Sequence, residues 1–162
     1  MSGEAVIDAA LFMAMNSTDD RIRRQGKAFF AHRLTTGAVM PLEQVGRCDD
    51  LVWGYPREVQ DAYYPFMDVL HTDMKVDRIG YTEDDLRVAQ TSSLLAGLPL
   101  GRRLTVAVVL NRGATLYTTD PQLTGRTDLP LGELPDVESA FPEPLETLYQ
   151  QSLALLVHPE GV

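Results

Sequence analysis

Short apolar runs alternate along this chain with longer stretches whose apolar residues recur at helical spacing. Residues 4–8, Ala38-Val39-Met40 and residues 114–118 are each too short for a helix and read as buried strands. A fourth, more polar run, Val76 to Tyr81, reads as a further short strand. Between the first two, Ser17-Thr18-Asp19-Asp20 offers an N-cap and first-turn acids for a helix. Its Ile22, Ala28, Phe29 and Leu34 share one face, Arg21, Arg23, Arg24 and Lys27 the other, and Thr35-Thr36-Gly37 stops it.

Pro41 suits the first turn of a helix that carries Glu43 and runs towards Trp53. Gly54-Tyr55-Pro56 breaks it, and the next helix passes Val59, Tyr63 and Phe66 to about Leu70. Pro65 within it predicts a kink or an early end. Thr82-Glu83-Asp84-Asp85 caps a helix bearing Leu86, Ala89, Leu94 and Leu95. An apolar helix from Leu104 to Arg112 ends at Gly113, a residue suited to a helix C-cap. Pro121 to Pro144 is rich in proline, glycine and acids and reads as loop with room for an edge strand, before a last helix over Leu145 to Val157. This order of elements, with short connections, predicts one α/β domain over 1–162 with a mainly parallel sheet.

The strand pattern gives two acids a special place. Asp8 follows the first strand and Asp120 the last, and the carboxyl ends of strands are where open α/β sheets bind ligands. Two such carboxylates meeting at one pole suit a hard cation held through oxygen.

Composition narrows the classes. A chain of 162 residues, 44% apolar and 23% charged, can bury a sizeable core and is neither fibrous nor disordered in character. No apolar run approaches the roughly 20 residues of a membrane span. Met1-Ser2-Gly3-Glu4 lacks the basic start of a secretory leader, and the single Cys48 can form no internal disulfide, so a cytoplasmic setting is expected. The net charge of −9 argues against general nucleic-acid binding but leaves room for an acidic metal site with local arginines. All cations except Lys27 and Lys75 are arginine, which suits bidentate recognition of carboxylate or phosphate and equally fits GC-rich codon usage.

Three stretches now carry a family likeness. Val6-Ile7-Asp8-Ala9-Ala10-Leu11-Phe12, Val39-Met40-Pro41-Leu42-Glu43-Gln44-Val45 and Val106 to Asp120 follow one another as in the PIN domain family, and together they span about residues 4–123. The remainder, 124–162, reads as loop and C-terminal helix. The resemblance implies a three-layer α/β/α fold and magnesium- or manganese-dependent cleavage of phosphodiesters, often in RNA and often by bacterial toxins. It also implies Asp8, Glu43 and Asp120 as catalytic metal ligands. One family feature is missing: where an acid is expected before the last motif strand, Leu100-Gly101-Arg102-Arg103-Leu104 has two arginines. An arginine there removes a ligand charge and repels a cation. Arg102 or Arg103 then pairs with Asp8 or Asp120, or holds a substrate phosphate. Asp84 and Asp85 are better read as helix caps than as substitute ligands.

His71 and Asp73 form a second candidate group, as an acid–base pair, a transition-metal site or the wall of a substrate pocket near the aromatic stretch from Trp53 to Phe66. The plainer reading packs Trp53, Tyr63 and Phe66 between helices and leaves His71 at a helix end. Cys48 reads as a buried thiol. The basic helix face around Arg21 is the first patch that RNA would use. Phosphate-cradling glycine loops and the Gly-x-Ser-x-Gly elbow are absent. Three functions follow: a metal-dependent ribonuclease, a PIN fold turned to a small-molecule substrate or ligand, and a non-catalytic partner-binding or self-associating module.

Overall fold

A computed structural model describes residues 3–162; Met1 and Ser2, part of the stretch read for a leader, lie outside it. Four strands, β1 (Ala5–Ile7), β2 (Val39–Pro41), β3 (Asp77–Ile79) and β4 (Thr115–Tyr117), form one sheet in the order β3-β2-β1-β4. All three pairings are parallel, with Val6 opposite Val39 and Leu116, and Met40 opposite Arg78. The helices are α1 (Ala9–Ala14), α2 (Asp20–Arg33), α3 (Leu42–Trp53), α4 (Arg57–Met74), α5 (Glu83–Thr91), α6 (Leu100–Arg112), α7 (Pro121–Thr124) and α8 (Leu145–Ser152).

Strand alternation splits the core into two layers. Ala5, Ile7 and Met40 face Phe12, Phe29, Phe30, Phe66 and Tyr149 from α1, α2, α4 and α8. Val6, Val39 and Leu116 face Ala89, Val106 and Val109 from α5 and α6. The fold is therefore the expected three-layer α/β/α arrangement around a parallel sheet. Central β1 is buried at every position, as a parallel strand covered on both faces must be, whereas Asp77 and Arg78 of edge strand β3 are exposed.

Local chemistry fixes the helix ends. Asp19 accepts a bond from the Ile22 amide at 3.0 Å and starts α2. Thr82 and Asp85 form the reciprocal capping box of α5. Gly113, at φ 61°, closes α6 in a left-handed conformation that glycine adopts without steric cost.

Several details depart from the sequence reading. A short helix, α1, follows Asp8; five of its six residues are buried, so no amphipathic period marked it. Helix α6 begins at Leu100 rather than Leu104, which puts Arg102 in its first turn. Helix α4 continues past Pro65 to Met74. Proline inside a helix costs about 3 kcal/mol, but burying Phe66, Leu70 and Met74 beyond it returns about 1.5–3 kcal/mol each. Helix α8 stops at Ser152, and the chain beyond it turns so that Val157 bridges Ser17. The expected edge strand in 121–144 is only the bridge Leu116–Leu131. Trp53, expected in the core with Tyr63 and Phe66, is 71% exposed, as the last residue of α3. Among the described residues no helix is long and apolar enough to cross a membrane.

Candidate functional site at the strand-end pole

The carboxyl ends of β1 and β4 lie side by side, since Ile7 pairs with Tyr117. One residue beyond Ile7, Asp8 leaves the sheet in extended conformation and caps α1. Its Oδ1 accepts the Leu11 amide at 2.9 Å and its Oδ2 accepts the Thr118 hydroxyl at 2.5 Å. The Thr118 oxygen in turn accepts the Asp120 amide at 3.0 Å. Asp120 caps α7 by accepting the Gln122 amide at 3.0 Å, and its other oxygen is held by Arg102 Nε. Both aspartates are 5% exposed.

Burial pushes the Asp8 carboxyl up to about 6, and the neighbouring Asp120 charge adds a smaller push the same way. The bonds from Thr118 and Leu11 pull against this without cancelling it, as expected for a charge taken from water against neutral donors.

Glu43 sits in the first turn of α3, also past a strand end, but it points elsewhere. Its Oε1 accepts the Tyr81 hydroxyl at 2.5 Å. A Cβ on Gly101 would come within 2.9 Å of its Oε2, so the first turn of α6 lies directly against Glu43. Asp8, Gln44, Arg47, Arg102, Thr105 and Asp120 line a cleft whose free space, about 20 Å³, holds a water-sized species. Glu43 lines an adjoining groove with Arg47 and Asp50. All three expected acids thus reach one pole, yet only Asp8 and Asp120 share the cleft.

Magnesium or manganese is the ion that the three acids suggest. A hard cation takes a lone pair from each carboxylate oxygen it ligates, and a guanidinium bound there competes for that oxygen and repels the ion. Both oxygens of Asp8 and both of Asp120 already accept bonds, one of them from a guanidinium. No three His, Cys, Asp or Glu side chains among the described residues gather closely enough to share an ion. As arranged here, these residues do not fit a divalent cation.

Arg102 is therefore in the cleft, while Arg103 is not: it donates to the Ala89 carbonyl at 3.2 Å in the α5–α6 seam. The second candidate group does not join the site. His71 and Asp73 close α4, which feeds into the start of β3, so they lie where strands begin rather than end, and neither lines the cleft. His71 packs its ring on Phe12 at 5.0 Å, and burial holds its pKa below the usual histidine range. The basic face of α2 is largely neutralised: Arg21 and Arg24 pair with Asp136, Arg23 with Asp20 and Lys27 with Glu146. Cys48 is buried, and burial pushes its thiol up. Asp85 serves the α5 cap and accepts from Asn111, as a capping acid should.

Sequence reasoning missed Thr118, Gln44, Arg47 and Tyr81. The signal for two of them was adjacency: Thr118 stands two residues before Asp120, and Gln44, whose Oε1 accepts the Ala9 amide at 2.9 Å, follows Glu43.

Fold and pole together define a three-layer α/β/α protein with paired acids at the strand ends, one of them bound to arginine. The chain belongs to the family described as "Family of unknown function (DUF6190)", whose sequence profile matches residues 1–162. No curated protein matches it.

Proposed function

We propose that this chain is a PIN-like protein whose strand-end site has turned from metal-dependent phosphodiester cleavage to metal-free recognition of a protein partner. One observation carries the reading: Arg102 stands in the first turn of α6, where the PIN pattern has an acid, and its guanidinium holds Asp120. A guanidinium there supplies the positive charge that a divalent cation would bring, and it repels such a cation. Leu42 and Leu100, 54% and 53% exposed, adjoin Glu43 and Gly101 at the rim. Apolar rim residues on a chain of net charge −9 suit a protein better than a polynucleotide. A second copy of the chain is one such partner. Tyr63 is buried and offers no partner surface, whereas Trp53 does. A cytoplasmic setting belongs to this reading, as the single buried thiol suits a reducing compartment.

One observation favours a second reading, a ribonuclease using Asp8, Glu43 and Asp120: the three acids do lie at the same pole. Calorimetric titration of manganese separates the two. The recognition reading expects no binding to the wild-type protein and a gain of binding in Arg102→Asp, which restores the missing acid. Micromolar binding to the wild type, lost in Asp8→Asn, would overturn it in favour of the nuclease.

A further inference from the structure

We propose that residues 158–162 form a strap that masks the strand-end pole and can lift from it as a unit, hinged at Val157. The inference does not depend on whether the pole binds a partner or a metal. It rests on where Val162 sits. Val162 packs partly buried against the larger core layer. It lines the cleft that holds Asp8 and Asp120, the groove that holds Glu43 and Asp50, and a third narrow space between Met13 and Pro121. The first two share only Arg47 and Val162. One apolar side chain therefore helps divide the paired aspartates from the third acid of the pole.

The attachment of this segment changes sharply at Val157. Up to that residue the chain is firmly held: the Val157 amide donates to the Asn16 carbonyl at 2.8 Å, and the Thr18 amide donates to the Val157 carbonyl at 2.9 Å. Asn16, fully buried, also donates to the carbonyls of Ser152 and Leu155. Past Val157 the bonds turn inward. Gly161 closes a 3₁₀ turn onto the His158 carbonyl at 2.9 Å, and His158 makes a 3.4 Å contact with the Thr18 hydroxyl of the body. A segment tied to itself and seated by two half-buried apolar side chains, Pro159 and Val162, has few contacts to break on opening, which places it at the low-stability end of the fold. Lifting it joins the two clefts into one groove carrying Asp8, Asp120, Glu43, Arg47, Arg102 and Asp50.

Carbodiimide-coupled amine labelling of carboxyls, read by mass spectrometry, tests the strap. It compares the wild type, a chain ended after Val157, and Val162→Gly. Labelling of Asp8 and Asp120 is expected to rise severalfold in both variants, with exposed Asp61 and Asp77 unchanged, buried Asp85 still protected and Tm close to wild type. Unchanged labelling of Asp8 and Asp120 in both variants would overturn the proposal. So would a rise that includes Asp85, because the segment would then be core rather than strap. Should the shortened chain fail to fold, Val162→Gly decides alone, as it leaves the backbone path intact.

Discussion

The ends of β1 and β4 treat the same group in two ways. Each presents an aspartate that caps a short helix, each aspartate is 5% exposed, and each touches Thr118. Asp8 receives only dipoles: one amide, one hydroxyl and the start of a six-residue helix. Asp120 receives a guanidinium whose own side chain is only 20% exposed. The carboxyl given neutral donors alone is pushed up to about 6. At this depth, two good hydrogen bonds do not replace lost hydration. A whole opposing charge is a different kind of compensation, and it uses the oxygen that a metal would need.

The largest effect should come from removing that charge. Arg102→Met keeps much of the side chain's bulk but leaves Asp120 buried beside Asp8 without its bonded guanidinium. Breaking a buried pair from one side is strongly destabilising, and a loss of about 3 kcal/mol is expected in a denaturant melt. Adding Asp120→Asn should recover much of it, since removing both partners leaves no uncompensated charge. A loss below about 1 kcal/mol for Arg102→Met alone would show the pair to be a surface-like contact and break the contrast between the two ends.

Asp8 offers the next test, through pH. Its carboxyl is held above the ordinary 3.8, at about 6, chiefly by burial, so the native state binds this proton more tightly than the unfolded chain. That contribution to stability is complete below about pH 4 and is lost as pH rises through about 6, a change of about 3 kcal/mol for two pKa units. Asp8→Asn cannot ionise and should flatten that part of the stability profile. It leaves the Thr118 proton without its acceptor, at a cost of about 1 kcal/mol, so the net gain at pH 7 is about 2 kcal/mol. The gain should vanish by pH 4. Parallel profiles for the two proteins between pH 4 and 7 would mean that Asp8 is better solvated than its surroundings imply.

The sheet, its layers and the pole's acids were legible in sequence because they rest on local signals. Apolar runs mark strands, and an acid just past a strand end marks a cap and a ligand position at once. Arg102 was legible too, as a break in an expected pattern, but its partner was not: pairing with Asp120 depends on α6 starting at Leu100, ahead of its apolar run. Helix α1 was hidden because burial on nearly every side erases the period that identifies a helix. His71 and Asp73 misled because residue types were visible and topology was not. Only the parallel order shows that the end of α4 must meet the start of β3 rather than the end of β1. Trp53 misled in the opposite sense, as an aromatic at helical spacing that stays mostly in solvent.

Thr118 gives the smallest and sharpest test, because its hydroxyl bonds to both ends. Its hydroxyl donates to Asp8 and accepts from the Asp120 amide, so Thr118→Val keeps the shape and removes both bonds. The expected cost is about 1 kcal/mol, since a buried amide and a carboxylate oxygen each lose a partner. The more telling readout is the Asp8 titration, followed by carboxyl carbon NMR. The Thr118 bond is the strongest influence lowering the Asp8 pKa, so its loss should move the midpoint upward, while Thr118→Ser should leave it in place. The Arg102–Asp120 pair does not use this hydroxyl and should survive in both variants. A midpoint that stays put in Thr118→Val would mean that the hydroxyl does nothing to hold the Asp8 charge. The two equally buried strand ends would then differ only in the guanidinium bonded to Asp120.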